Sequence, residues 1–223
     1  TNGYTTGVVN AATVTTLTGT AADANTAYAA NAAGTISGLA NETVTISDQT
    51  IAADVLNTLD DYTSGPVNAH TVTTITGTAA DANTAYGSAG IAGLDSEAVT
   101  ISDTTLAATV LNNLNAYTTG VVNAASVTTI TGAYADLNTS FAANAAGTIS
   151  GLGNEAVTAS GTTTVAQVNT LSGYTTGIVT ATISDNDMST LDGITETGHA
   201  LTISVTDSSV AASNLNTLDG KTT

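Results

Sequence analysis

The chain has 223 residues, with 18 Asp and Glu against a single Lys, no Arg, no Cys and a net charge of −17. One cation leaves no electrostatic footprint for nucleic acid or for an anionic membrane surface, and without Cys there is neither a disulfide scaffold nor a thiolate metal site. Charged residues are only 9% of the chain, so a folded core must come from apolar and small residues, and no apolar run reaches the roughly 18 residues of a membrane span.

In chain order, the opening Tyr4-Thr5-Thr6-Gly7-Val8-Val9-Asn10-Ala11 returns as Tyr117 to Ala124. Thr13 to Asp23 returns with one change as Thr71 to Asp81, and helical patterns are predicted from about Thr20, Thr78 and Ala133. Glu42-Thr43-Val44-Thr45-Ile46-Ser47-Asp48 returns as Glu97 to Asp103. In both copies the apolar residues alternate, the period of a half-buried strand. Helices are predicted over Ile51–Tyr62 and Leu106–Tyr117, because Leu56, Leu59 and Tyr62, like Leu111, Leu114 and Tyr117, fall at helical spacing. Asp48, Thr50, Asp103 and Thr105 are predicted N-caps, and Gly65, Gly120 and Gly177 predicted left-handed residues after the last turn.

Asn25, Asn57, Asn83, Asn112, Asn138, Asn169 and Asn216 hold equivalent places, with Ser189 in the eighth. Their mean spacing of about 27 residues is that of one strand-plus-helix unit in a solenoid. The expected fold is an α/β repeat solenoid of about eight strand-plus-helix units with a parallel sheet; an all-β solenoid is the rival reading. The expected organisation is one array over 1–223, with paired repeats at 8–65, 66–119, 120–176 and 177–223 and residues 1–7 as the tail of a preceding unit.

The repeated polar and aromatic positions read as structural ladders. An Asn recurring once per turn can bond the backbone of the next turn. The Tyr4, Tyr62, Tyr117, Tyr174 column and the Tyr28, Tyr86, Phe141 column are expected to pack together, and Phe141 argues against a role for the hydroxyls. No cofactor is expected. Calcium is the one ligand with any donor pattern, through Asp185 and Asp187 and the recurring Asp48 and Asp103, but no complete calcium loop is present. Glu42, Glu97 and Glu155 read as one structural position copied three times. With a single Lys to pair with, the carboxylates are expected on the solvated surface or against external cations. His70 and His199 occupy non-equivalent places, and no phosphate loop is present, so no enzyme is expected. Of the two sequons, Asn41 and Asn138, the second belongs to the Asn ladder.

Thr-Ala-Ala-Asp-x-Asn-Thr-Ala-Tyr alternating with Leu-Asn-Thr-Leu-Asp-Gly resembles the tandem repeats of very long surface or secreted proteins of cyanobacteria and other aquatic bacteria, over essentially the whole chain. Ala212 to Gly220 is also similar, over short pieces, to phage tail-fibre repeats. These resemblances imply an extracellular or cell-surface location and repeats without catalytic residues. The expected function is a structural stalk, filament or surface-layer segment. Its partners would be further copies of similar repeats, head-to-tail, with no nucleic acid and no membrane insertion. The alternative is an adhesin that contacts glycan or mineral through Thr and Tyr columns. The bland outer strand residues Thr43, Thr45, Ser47, Thr100 and Ser102 favour the stalk. Because the chain opens and closes at nearly the same phase of the repeat, its first and last units are expected to abut further repeats.

Overall fold

Alternating apolar residues followed by Ala- or Leu-spaced segments recur along the chain. In the computed structural model, which describes residues 6–223, each recurrence folds as one coil of strand and then helix. The first coil holds β1 (Val9–Asn10), β2 (Thr16–Gly19) and α1 (Ala21–Ala32); the second holds β3 (Ile36–Ser37), β4 (Thr43–Ile46), β5 (Thr50–Ala52) and α2 (Ala53–Tyr62). The third has β6 (Val67–Asn68), β7 (Thr74–Gly77) and α3 (Ala79–Gly87); the fourth has β8 (Ile91–Ala92), β9 (Ala98–Ile101), β10 (Thr105–Ala107) and α4 (Ala108–Tyr117). The fifth contains β11 (Val122–Asn123), β12 (Thr129–Ala133) and α5 (Tyr134–Ala146); the sixth contains β13 (Ile149–Ser150), β14 (Ala156–Thr163) and α6 (Val165–Tyr174). The seventh coil is β15 (Val179–Ile183) and the four-residue α7 (Met188–Leu191), and the eighth is β16 (Ala200–Thr202) and α8 (Ala212–Asp219). The fold is an α/β repeat solenoid with parallel sheets.

The chain divides into two compact units. One runs to Ser102 and takes in Leu114–Asn123; the other is Asp103–Asn113 with Ala124–Thr223, so the division falls inside α4. In the first unit β1 pairs with β3, β2-β4-β6-β8 form a second sheet, and β5, β7, β9 and β11 pair in that order. In the second unit the order is β10-β12-β14-β15-β16, again parallel throughout. Coils two and four carry a third strand, β5 or β10, and each of these begins a new sheet.

Register follows the apolar pattern. Leu17, Val44, Val67 and Ile91 align across one sheet, Ile51, Ile75, Val99 and Val122 across another, and Leu106, Ile130, Val157 and Val179 in the second unit. A one-residue slip would turn each ladder outward, and the burial of these side chains prevents it. Leu56, Leu59, Ile75 and Val67 are fully buried in the first unit, as are Ile130, Leu137, Val157 and Leu171 in the second. Each such side chain contributes roughly 1.5–3 kcal/mol on burial.

Three local expectations are corrected. Ile51 and Leu106 are strand residues paired with Ile75 and Ile130, so the helices begin at Ala53 and Ala108. Thr50 and Thr105 open β5 and β10 and cap nothing, because the sheet claims the segment in front of the helix. Gly65, Gly120 and Gly177 are not left-handed; α2 and α6 end on extended Thr63 and Thr175. These glycines are demanded by proximity. A Cβ on Gly65 would overlap the carbonyl of Glu42, one on Gly120 that of Glu97, and one on Gly177 that of Glu155.

Candidate functional site

The most constrained polar feature is built around the repeated glutamates. The turn before β4 buries Glu42 completely. The hydroxyl of Tyr28, on α1, donates to Glu42 Oε2 at 2.9 Å, and the Ala40 amide donates to Oε2 at 3.0 Å. The Glu42 carbonyl accepts the Thr63 hydroxyl at 2.8 Å, and Thr63 Oγ1 in turn accepts the Gly65 amide at 3.0 Å. The Tyr62 ring stacks on Tyr28 with centroids 5.7 Å apart and planes 11° from parallel. The Glu42 module thus joins a side chain from the previous helix, a turn and the exit of its own coil's helix.

The same set recurs. Tyr86 donates to Glu97 Oε2 at 3.0 Å, Thr118 to the Glu97 carbonyl at 2.7 Å, and Tyr117 stacks on Tyr86 at 5.8 Å. In the second unit Gly153 donates to Glu155 Oε2 at 2.8 Å, Thr175 to the Glu155 carbonyl at 2.6 Å, and Tyr174 stacks on Phe141 at 5.2 Å. Phe141 has no hydroxyl to offer, and Glu155 Oε1 is buried with no hydrogen-bond partner among the described residues. Two expectations change here. Three carboxylates are buried and not on the solvated surface, because hydroxyl and amide donors take the place of water. The hydroxyls of Tyr28 and Tyr86 do have a role, which Phe141 leaves unfilled.

Burial pushes the Tyr28 phenol up to about 12, with the Glu42 charge adding to the effect and the Thr63 hydroxyl opposing it. Burial also raises Tyr86, again with Thr118 opposing and the charges of Glu97 and Asp95 adding. Both phenols therefore stay protonated and act as donors.

The Asn column bonds forward from coil to coil. Asn25 Nδ2 donates to the Val55 carbonyl at 3.1 Å, Asn57 to Asp81 at 3.0 Å, Asn112 to Asp136 at 3.0 Å and Asn169 to Gly193 at 2.8 Å. Asn112 Oδ1 accepts from Ser140 at 2.7 Å, whereas the amide oxygens of Asn25 and Asn57 are buried without a donor among the described residues. Asn83 is half-buried at the matching place in α3. Asn138 differs: its Oδ1 accepts the Tyr174 hydroxyl at 3.0 Å. Asn216 is exposed and makes no side-chain hydrogen bond among the described residues. Tyr4 lies outside the described residues; Tyr62 and Tyr117 keep 38% and 46% of their surface exposed.

The acidic turn residues cap helices. Asp48 does not cap the helix that follows it. Its Oδ2 accepts the Ala21 amide at the start of α1 at 2.8 Å, one coil back. Asp185 accepts the Val165 amide of α6 at 2.7 Å in the same way, and Asp207, which sequence reading missed, accepts the Met188 amide of α7 at 2.7 Å. Asp187 caps its own helix through the Thr190 amide at 3.0 Å, and the hydroxyls of Ser189 and Thr190 hold its carboxyl below the usual range. Asp103 is half-buried after β9, as Asp48 is after β4. A negative charge at a helix N-terminus satisfies an orphan amide and the helix dipole together. Among the described residues no three His, Asp or Glu side chains gather as a metal group, and no helix is long and apolar enough to cross a membrane.

Compared with known protein families, with curated proteins and with solved structures, the chain has no significant match.

Proposed function

We propose that the chain is a structural segment of an extracellular repeat protein, a stalk, filament or surface-layer element without catalysis, in which the solenoid continues head-to-tail into further similar repeats. The observation that carries this reading is the use made of the repeated polar groups. Asn57 reaches the Asp81 carbonyl and Asp48 the Ala21 amide, so the recurring Asn and Asp positions join one coil to its neighbour. Glu42 is buried within such a joint and offers nothing to a substrate. The resemblance to repeats of long bacterial surface proteins supports the same assignment and the extracellular location.

Head-to-tail continuation supplies a partner for Asn216. A following coil of the α3 type would bring a carbonyl equivalent to that of Asp81, and residues 20–28 carry that sequence, with Asp23 in the matching place. The test is sedimentation velocity over a wide concentration range, with electron microscopy of the same samples. Linear oligomers weakened by Asn216→Ala are expected. A strict monomer at every concentration, together with saturable binding to a glycan or mineral surface that is lost on Tyr62→Ala and Tyr117→Ala, would move the assignment to the adhesin reading.

A further inference from the structure

The eighth coil closes on a buried histidine, His199. Leu218 to Thr223 aligns with Leu114 to Thr119, so Thr222 stands where Thr118 stands. Thr222 Oγ1 lies within hydrogen-bond reach of the carbonyls of Leu201 at 2.9 Å and His199 at 3.2 Å. His199, next to the Ala200 that pairs with Thr180, is only 8% exposed. Its Nδ1 accepts the backbone N–H of Val179 at 3.2 Å. An accepting Nδ1 belongs to the neutral imidazole with its proton on Nε2, and Nε2 is buried with no partner among the described residues. At the matching position of the first unit, Val67 donates to the Gly90 carbonyl at 2.8 Å, an acceptor that does not titrate.

Few charges surround the ring. β14, β15, β16 and α7 carry no titratable side chain. The charged groups near it in sequence are Asp192 and Glu196 in the preceding loop and Asp219 and Lys221 before Thr222, while Glu155 is buried in the sixth coil. Lys221 Nζ donates to the Thr195 carbonyl at 3.4 Å. Burial holds His199 below its ordinary 6.5 and outweighs Glu196, whose charge favours the proton.

We propose that His199 is an acid-operated latch: protonation at Nδ1 sets a second donor against the Val179 N–H and releases β16, with Thr222 and Thr223, from β15, while the glutamate modules stay closed. The released contacts are few. β16 is held to β15 by three residue pairs and by the Val179 amide on His199 Nδ1, while the Thr222 and Thr223 bonds to His199 and Leu201 move with it. A short strand of this kind opens locally without global unfolding. The sign follows from the depressed value: the closed form binds fewer protons than the open one, so closure is complete above about pH 6.5 and is lost as pH falls.

The test is amide hydrogen exchange on the whole chain between about pH 7.5 and about pH 5, corrected for intrinsic rates, with the His199 imidazole titrated by NMR. On acidification, segments 179–183 and 199–205 are expected to lose about tenfold or more of their protection, while segments 43–46 and 98–101 keep theirs. His199→Asn, which keeps a non-titrating acceptor, is expected to abolish the response, and His70→Asn to leave it intact. Unchanged protection in those segments, the same acid response in His199→Asn, or a His199 midpoint at or above about 6.5 would each overturn the latch. If His199→Asn does not fold, the titration of the unaltered chain decides alone.

Discussion

The hydroxyl of Tyr28 meets Glu42 Oε2 at 2.9 Å with both residues buried, and the ring behind that hydroxyl stacks on Tyr62. One tyrosine therefore satisfies a buried carboxylate and positions the aromatic ring at the exit of the next helix. Phe141 keeps only the second task.

Phe141→Tyr is expected to stabilise the second unit by roughly 0.5–1.5 kcal/mol, because the new hydroxyl reaches the unpartnered Glu155 Oε1. The reverse change, Tyr28→Phe, strips a donor from a buried acceptor and is expected to cost about 1–3 kcal/mol. Urea midpoints of the two variants check both signs, and a destabilised Phe141→Tyr would show that the pocket has no room for the oxygen.

Gly120→Ala is expected to destabilise by about 1–3 kcal/mol, since its Cβ would collide with the Glu97 backbone, which has little freedom to move. Gly173→Ala, inside α6 with open space around it, is expected to stabilise by about 0.5–1 kcal/mol through helix propensity. Opposite shifts in thermal midpoint separate a glycine required by contact from one that is not.

Asp48→Ala removes the cap on the α1 amide of Ala21 and is expected to cost about 0.5–2 kcal/mol, while Asp48→Asn retains most of the stability. Calcium is expected to raise the melting temperature no more than sodium at equal ionic strength, because Asp48 and Asp185 already bond helix amides. A calcium-specific rise that disappears in Asp185→Ala would restore the metal reading.

Alkaline pH is expected to unfold the first unit ahead of general deprotonation damage. Tyr28 is raised from its ordinary 10.0 to about 12, so above 10.0 the unfolded chain loses a proton that the folded chain retains. Folded protein then binds more protons than unfolded, and stability falls as pH rises through this window. Tyr28→Phe is expected to flatten the slope of urea midpoint against pH over that range; an unchanged slope would assign alkaline loss to other groups.

Much of the fold was legible because it is periodic. The alternation in Val44-Thr45-Ile46, the helical spacing of Leu56 and Leu59 and the recurrence of Asn25, Asn57 and Asn112 point to strand, helix and forward bond from the residues alone. Those features depend on neighbours within one coil or on the identical place in the next, and both repeat in the sequence. The caps were misread for the opposite reason. Asp48 precedes α2 in the chain but meets the start of α1 in space, and sequence adjacency favours the wrong helix.

By itself the sequence determined the repeat and which apolar side chains face inward, and it favoured parallel α/β stacking over an all-β solenoid, because side-chain period and apolar burial are local rules applied again and again. Only the tertiary structure decided where the charge goes. A carboxylate with no cation to pair with belongs in water unless other donors replace that water, and the donors for Glu42 are a phenol from the previous helix and an amide of its own turn. The same packing decided that Gly65 is needed for its missing Cβ and not for its backbone angle, and that His199 meets the Val179 amide in the last coil. The bonds of Tyr28, Thr63 and His199 bring together atoms 14, 21 and 20 residues apart, which composition and periodicity do not specify.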